Sequence, residues 1–328
     1  MTDALTAALD AIPDPLTGRG LVAAGRATAP RLTDATASLV LDITGLVDPK
    51  ALEQAVTTAL SAVPGVATVR IALTQEKRER RIIAVGSGKG GVGKSTVAAN
   101  LAIALARMGQ RVGLVDADIY GPSQPRLLGM EAAKPTAKDK VLDPIPTPFG
   151  VLMLSIGQLV APGKALAWRG PMISGALGQL LDADWGTTDL LVVDLPPGTG
   201  DIQIGMIQKY KPAGAVIVST PQDLALIDAA RAIDLFAQTN VPILGLVENM
   251  AGYACPHCGE ISDPFGTGGA ENAAAELALP FLGRIPLDIA IRTASDAGQP
   301  PAATDSPQGR SFTAIAEKVA AALNLRPA

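Results

Sequence analysis

The sequence predicts a mostly parallel, doubly wound α/β sheet preceded by a small α+β domain. Three observations predict this fold. Strand and helix patterns alternate from residue 81 onward, and the first 75 residues carry a separate pattern. Hydrophobic residues make up 48% of the chain but aromatic residues only 3%, as suits helices packed on parallel strands. At 328 residues the chain is long enough for two domains, which we place at 1–76 and 82–328 with a linker at 77–81.

The first domain contains a few short elements. Leu5–Leu9 predicts a short helix, and the run from Asp14 to Gly18 predicts a turn. Strands are predicted at 38–43 and 66–73, with a helix from 49 to 63 between them. The segment contains no cysteine and no other chemical signature. We expect a folding or partner-docking module without a reaction of its own.

The second domain alternates strands and helices, which favours a parallel sheet covered on both faces. Strands are predicted at 81–85, 111–116, 151–155, 190–194, 215–219, 243–247 and 281–285. Helical patterns are clearest at 96–108 and 223–238, and proline and charge at 134–150 predict a loop. The last helix, 311–323, carries only Lys318 as a base, so we expect it to pack on the domain rather than bind a membrane.

A glycine-rich loop stands between the first strand and the first helix of this domain, which is the context of a phosphate-binding loop. Its backbone N–H groups and the helix N-terminus would surround phosphate oxygens. Lys94 would reach the β/γ-phosphates of ATP, and the Ser95 hydroxyl would hold Mg²⁺. The loop consists of Gly88, Lys89, Gly90, Gly91, Val92, Gly93, Lys94, Ser95 and Thr96.

Lys89 is a second lysine where the common loop needs one. In this respect the loop resembles the deviant-Walker-A NTPases, which include the nitrogenase iron protein and the ParA and MinD ATPases. The resemblance implies a homodimer in which Lys89 of one protomer contacts the phosphates bound by the other, as an arginine finger does. Without the resemblance, Lys89 would be read as a solvated loop lysine.

Polar residues after the other strands complete the predicted nucleotide site. Asp116 and Asp194 are predicted Mg²⁺ ligands, Asp194 through water, and Asp118 is predicted to orient the attacking water. Asp201 ends the segment Leu195-Pro196-Pro197-Gly198-Thr199-Gly200 and is predicted to couple the phosphate to a distal site. Asn249 would hydrogen-bond adenine, or is an ordinary turn asparagine.

Both cysteines of the chain lie in one C-x-x-C motif, Cys255-Pro256-His257-Cys258, followed by Gly259. Flanking glycine, serine and proline predict loops on either side, which disfavours a thioredoxin-like redox site. A buried structural pair is a second alternative, and metal binding is the preferred interpretation. Structural zinc and iron–sulfur clusters usually need four ligands, so a symmetric dimer would complete the set. Spacing alone does not separate zinc from [4Fe–4S].

Composition excludes several function classes. The net charge is −4 and no basic cluster stands out, so we expect no nucleic-acid partner; the mixed run 77–81 is interpreted as solvated linker. No apolar run has the length of a membrane span, and the N-terminus does not resemble a signal peptide. With two cysteines we expect a reducing cytoplasm. The single histidine disfavours histidine-based catalysis.

Taken together, these motifs resemble one family, the Mrp/ApbC iron–sulfur cluster carrier ATPases, from about residue 80 onward. The resemblance implies a homodimer that binds ATP and Mg²⁺, hydrolyses ATP slowly, and holds a [4Fe–4S] cluster through Cys255 and Cys258. The cluster would come from a donor and pass to apoproteins. The first domain resembles the accessory domain often fused ahead of such ATPases. The matching segments are Gly88–Ser95, Asp116–Ser123, Trp168–Met172, Asp194–Asp201, Glu248–Met250 and Cys255–Gly259.

Two other functions fit parts of the pattern. A ParA/MinD-like positioning ATPase would use the same loop to assemble on DNA or membrane, but it leaves the cysteine motif unexplained. A zinc-stabilised, NTP-dependent scaffold would explain both motifs. Colour after anaerobic purification separates this scaffold from the carrier, because zinc proteins are colourless.

Overall fold

The computed structural model describes residues 2–46, 48–74, 80–159 and 170–325. The chain divides into two compact units, residues 1–79 and 80–328. Most of the predicted linker, and Trp168 and Arg169 of the matching segments, lie outside the described residues.

The first unit is a three-stranded sheet with helices α1 (Thr2–Asp10) and α2 (Pro49–Ser61). Its strands are β1 (Arg31–Thr33), β2 (Thr36–Asp42) and β3 (Thr68–Thr74), in the order β1-β2-β3. β2 pairs antiparallel with β1 and parallel with β3, as a crossover through α2 requires. The core is aliphatic, and α2 begins at an Asp48 cap that accepts the N–H of Ala51 at 3.0 Å.

The second unit is built on an eight-stranded sheet in the order β15-β12-β11-β4-β10-β5-β9-β8. All neighbours are parallel except the edge pair β8–β9. The strands are β4 (Arg81–Gly86), β5 (Val112–Asp116), β8 (Ile145–Pro146), β9 (Leu152–Ser155), β10 (Leu190–Asp194), β11 (Gly214–Ser219), β12 (Ile243–Asn249) and β15 (Phe281–Ile285).

Both faces of this sheet are buried. Along β4, Ile83 and Val85 enter one hydrophobic core while Ile82 and Ala84 enter the other. The first core contains α3 and α10, and the second contains α5, α6, α7 and α8. The helices are α3 (Lys94–Arg107), α4 (Gln124–Leu127), α5 (Gly170–Leu181), α6 (Asp201–Tyr210), α7 (Asp223–Gln238), α8 (Gly269–Glu276), α9 (Ile289–Asp296) and α10 (Pro307–Ala322). The predicted α/β fold with its doubly wound parallel sheet is confirmed.

One predicted loop is wrong. The segment 134–150 contains a hairpin of β6 (Thr136–Lys138) and β7 (Val141–Asp143), followed by β8. The hairpin turns at Asp139 and Lys140, whose φ angles are +50° and +69°. A two-residue turn with positive φ at both positions normally carries glycine or asparagine, so this one gives little signal in the sequence.

Two helix boundaries also differ from the predictions. α10 begins four residues before the predicted start, at Pro307, after a Ser306 cap that accepts the N–H of Gly309 at 3.0 Å. α3 begins at Lys94, inside the glycine loop. Within the described ranges no helix is both long enough and apolar enough to cross a bilayer.

Candidate functional site

The glycine loop leaves the end of β4 in the middle of the sheet and enters α3. Two of its glycines, Gly91 and Gly93, have φ angles of +82° and +83°, which favour glycine. A Cβ on Gly93 would lie 2.1 Å from the Asn249 amide nitrogen. A Cβ on Gly88 would lie 2.0 Å from backbone atoms of Asp228 in α7. Gly88 therefore allows α7 to pack against the loop, a role that the motif alone does not reveal.

Lys94 is buried at the bottom of the loop. Its ammonium group donates to Asp194 at 2.5 Å and lies 3.7 Å from a carboxylate oxygen of Asp118. Asp194 is the last residue of β10 and is fully buried, so the lysine balances its charge. The other Asp118 oxygen accepts the N–H groups of Tyr120 and Gly121 at 3.1 and 3.2 Å. These contacts fix the Asp118 carboxylate beside the lysine.

Gln124 connects α4, to which it belongs, with α3 and β10. It was not among the predicted site residues. Its side-chain amide nitrogen donates to the Ser95 carbonyl at 2.9 Å and to Asp194 Oδ2 at 2.8 Å. The side chain is fully buried at the start of α4. Its partners lie 29 and 70 residues away in the chain, so no local pattern indicates this role.

Asp116 is fully buried at the end of β5. Its Oδ2 accepts the N–H groups of Ser123 and Gln124 at 3.0 and 3.1 Å and the Ser155 hydroxyl at 2.9 Å. The pKa of Asp116 is raised to about 7. Burial of the carboxyl group is the larger cause, and the negative charge of neighbouring Asp194 is the smaller one. These hydrogen bonds shape the segment that leads to α4. Its role as an Mg²⁺ ligand stays a prediction.

The segment after β10 is held from two sides. Gly198 donates its N–H to the Ser87 carbonyl at 2.9 Å, next to the glycine loop. Gln203, in α6, donates its amide to the carbonyls of Pro196, Pro197 and Gly198 at 2.9–3.2 Å. Asp201 is the exposed first residue of α6, and the structure does not bring it to the cleft wall. The coupling role of Asp201 stays a prediction.

These elements surround an open cleft of about 300 Å³. The wall carries the predicted pair Lys89 and Lys94 together with Ser95 and Asp118. Lys89 is half-buried at the rim, and its carbonyl accepts the Ser87 hydroxyl at 2.9 Å. The lining residues are Ser87, Lys89, Gly90, Gly91, Gly93, Lys94, Ser95, Thr96, Asp118, Gly121, Ser123, Leu127 and Pro197.

Asn249 does not line this cleft in the described part of the chain. It is the buried last residue of β12, and its amide nitrogen donates to the Val92 carbonyl at 2.8 Å. The contact ties β12 to the glycine loop. Its contact with adenine stays a prediction.

The cysteine motif forms the tip of a small ribbon, where the sequence predicted loops on both sides. β13 (Tyr253–Ala254) pairs antiparallel with β14 (Ile261–Ser262). Cys255 donates its N–H to Glu260 and accepts that of Gly259, at 2.9 and 2.8 Å. Gly259 has φ +74°, so the chain reverses tightly. Two-residue strands are too short for periodicity to reveal, which explains the wrong expectation.

The two thiols of this ribbon are open to solvent to different degrees. Cys255 is half-buried and Cys258 is exposed, and neither forms a disulfide. Hydrogen bonds from the backbone N–H groups of Cys258 and then His257 lower the pKa of the Cys255 thiol. Within the described ranges, no group of three or more histidine, cysteine or carboxylate side chains is arranged to hold a metal ion. The described part of one chain therefore places two thiols in this turn, and their role as metal ligands stays a prediction.

Two protein-family models match this chain. A family model described as NUBPL iron-transfer P-loop NTPase matches residues 78–320. The chain belongs to this family. A second model, described as an iron–sulfur cluster assembly protein, matches residues 2–71. The two models together span both compact units.

Individual relatives agree with this family. An iron–sulfur cluster carrier protein from Deinococcus radiodurans is 45% identical and covers 99% of this chain and 97% of its own length. A nucleotide-binding protein from Archaeoglobus fulgidus in complex with ADP is 42% identical, with a TM-score of 0.61 over 71% of this chain and 91% of its own. MinD from Pyrococcus horikoshii, complexed with Mg-ADP, is 26% identical, with a TM-score of 0.55 over 73% of this chain and 96% of its own. The resemblance to iron–sulfur cluster carriers inferred from the motifs is confirmed.

Proposed function

We propose that this protein is an ATP-hydrolysing carrier that binds a [4Fe–4S] cluster between two protomers and transfers it to apoproteins. The observation that carries the proposal is the pair of thiols at the tip of the ribbon, one half-buried and one exposed, on a chain that also contains a cleft lined by the phosphate-binding loop. Two such pairs, related by a two-fold axis, supply the four thiolates that a cubane cluster requires.

The residues of the cleft fit Mg²⁺ and a nucleotide. The predicted Mg²⁺ ligands Ser95, Asp116 and Asp194 offer a hydroxyl and two carboxylates, which are the hard oxygen donors that Mg²⁺ prefers. The buried Ser123 hydroxyl has no hydrogen-bond partner in the described part of the chain and lies on the same wall. When bound, Mg²⁺ neutralises charge on the β- and γ-phosphate oxygens.

The protein's own groups then have distinct tasks. Lys94 would exchange its contact with Asp194 for the phosphates, and Asp194 would then be available to hold Mg²⁺ through water. Asp118, fixed by two backbone N–H groups, orients the attacking water. Lys89 at the rim reaches the phosphates of the second protomer, so bound ATP favours the closed dimer.

Nucleotide binding and cluster binding are coupled in this proposal. Closure through Lys89 changes the separation of the two cysteine ribbons, and therefore the affinity for the cluster. The coupling is reciprocal at equilibrium. A Lys94→Ala variant should accept a cluster in vitro but fail to deliver it in cells. Full complementation by this variant would contradict the coupling.

The proposal is tested by anaerobic reconstitution with iron and sulfide. Wild type and Cys255→Ala are compared by visible absorbance, by iron per chain, and by molar mass from light scattering. A brown dimer with about four irons, absent in the variant, supports the bridging cluster. A colourless wild-type protein that retains zinc would refute it and leave a nucleotide-dependent scaffold.

A further inference from the structure

Two polar atoms on consecutive residues beside the cleft lack partners. Ser123 Oγ and Gln124 Oε1 are buried, and neither has a hydrogen-bond partner among the described residues. Buried oxygens without partners are uncommon in folded proteins, because desolvation costs free energy that a hydrogen bond normally returns. Two of them on consecutive residues suggest a bound group that supplies the missing hydrogen bonds.

The orientation of the Gln124 amide is determined by its surroundings. The nitrogen donates to two acceptors, the Ser95 carbonyl and Asp194 Oδ2, at 2.9 and 2.8 Å. Exchanging oxygen and nitrogen would place the amide oxygen, an acceptor, against two other acceptors, which is unfavourable. The unpartnered atom is therefore the carbonyl oxygen, which only accepts hydrogen bonds.

The neighbours of Gln124 identify the chemistry of the missing donor. Ser95 and Asp194 are the residues that would hold Mg²⁺, the former directly and the latter through water. Mg²⁺ keeps several of its waters when it binds protein, and each bound water is a strong hydrogen-bond donor. A carbonyl oxygen fixed beside these residues suits such a water, as supporting groups around metal sites generally do.

We propose that Gln124 is a positioning residue for the Mg²⁺ that accompanies the nucleotide. Its amide nitrogen holds Asp194 and the first turn of α3 in register, and its carbonyl oxygen accepts a hydrogen bond from a metal-bound water. The Ser123 hydroxyl, on the cleft wall, hydrogen-bonds the same hydration shell or the phosphate. This inference rests on the proposed nucleotide site but not on the cluster.

The test separates metal binding from nucleotide binding in the full-length protein. Gln124→Met keeps the length of the side chain and removes both the nitrogen and the oxygen of the amide. Fluorescent ADP is titrated in EDTA, and Mn²⁺ is then titrated into the ADP-loaded protein by electron paramagnetic resonance. We expect ADP affinity in EDTA within about twofold of wild type, and Mn²⁺ affinity weaker by about tenfold or more. Gln238→Met, at an exposed position of α7, is the matched control.

Each other outcome would overturn the inference. Unchanged Mn²⁺ affinity would show that the carbonyl does not serve the metal. A parallel loss of ADP affinity in EDTA would show that Gln124 only shapes the glycine loop. If Gln124→Met fails to fold, Gln124→Asn keeps the amide but withdraws it by one methylene, and the same selective loss of Mn²⁺ affinity is expected. Failure of wild type to bind Mn²⁺ with ADP would instead refute the proposed nucleotide site.

Discussion

The nucleotide cleft and the cysteine ribbon are built in opposite ways. The cleft lies at the end of the central strand β4, and its charged groups are buried and paired, as Lys94 is with Asp194. The ribbon is four strand residues around a tight turn, with thiols that lie at the surface. One site draws its ligands from distant parts of a single chain. In the proposed function, the other offers half of a ligand set and a second copy supplies the rest.

This difference determines how a mutation at each site should change the free energy of unfolding and ligand binding. A change in the cleft disturbs buried hydrogen bonds and therefore both stability and binding. A change in the ribbon removes a ligand from an exposed surface and should leave folding almost unaffected. The following predictions test that contrast.

The largest effect is expected from Cys258→Ala. Bound iron and sulfide should fall to background after anaerobic reconstitution, because the half-site loses one of its two ligands. The free energy of unfolding should change by less than about 0.5 kcal/mol, since Cys258 is exposed. Iron analysis and urea unfolding measure the two quantities, with Ser262→Ala in the same ribbon as control. Retention of cluster by Cys258→Ala would show that the ribbon is not the ligand source.

The second prediction compares two glycines of the cleft. Gly91→Ala and Gly93→Ala both place a side chain at a φ near +80°, which costs about 1–2 kcal/mol. At Gly91 nothing lies within 4 Å of the new Cβ, whereas at Gly93 it meets the Asn249 amide at 2.1 Å. Gly93→Ala should therefore destabilise the larger unit by about 1 kcal/mol more, the value of a displaced hydrogen bond.

Urea unfolding of both variants without nucleotide measures this difference. Equal destabilisation by Gly91→Ala and Gly93→Ala would mean that Asn249 moves away from the loop without cost. In that case the contact between β12 and the glycine loop is not a constraint on the site.

The third prediction concerns the buried acid of the cleft. The pKa of Asp116 is raised from 3.8 to about 7 in the folded protein, so the folded state holds this proton more tightly than the unfolded state does. The stability gained in this way is fully present below pH 3.8 and is lost as the pH rises through about 7. Between pH 5 and 8 wild type should lose on the order of 2 kcal/mol relative to Asp116→Asn, which has no titrating group at this position. Urea unfolding at several pH values measures how the free energy of unfolding changes with pH in wild type and in Asp116→Asn. Parallel profiles would show that Asp116 is ionised throughout.

The sequence predicted the sheet better than the turns. The central strands are uninterrupted apolar runs such as Leu190–Val193, and they are buried on both faces as such runs require. Two hairpins were missed because their turns use Asp34-Ala35 and Asp139-Lys140 at positive φ, without glycine. A left-handed turn without glycine is stabilised by the strands that it joins, and these were too short to recognise.

Residues of the site in local sequence motifs were predicted, and residues whose contacts join distant segments were missed. Lys94, Ser95 and Asp118 could be proposed from local spacing alone, and the structure brings all three to one wall. Gln124 was missed because its role depends on contacts formed only when distant strands pair. The contact of the Asn249 amide with the glycine loop was not predicted either, because it joins residues 157 positions apart in the chain.

The smallest effect is expected at the ribbon, from the unequal surroundings of its two thiols. The backbone N–H groups of Cys258 and His257 lower the pKa of Cys255 and so favour its thiolate without burial. Alkylation by iodoacetamide requires the thiolate, so Cys255 should react at a lower pH than a free cysteine thiol such as N-acetylcysteine. The variant Cys258→Ala leaves Cys255 as the protein's one thiol, and mass spectrometry across pH 6–10 gives the midpoints for the protein and for the free thiol. Coincident midpoints would mean that the turn does not hold its N–H groups toward Cys255 in solution. A lower midpoint for Cys255 would show that backbone hydrogen bonds in the ribbon favour its thiolate, the form that binds metal. The two sites would then shift a pKa by different means, because burial is what raises the pKa of Asp116 in the cleft.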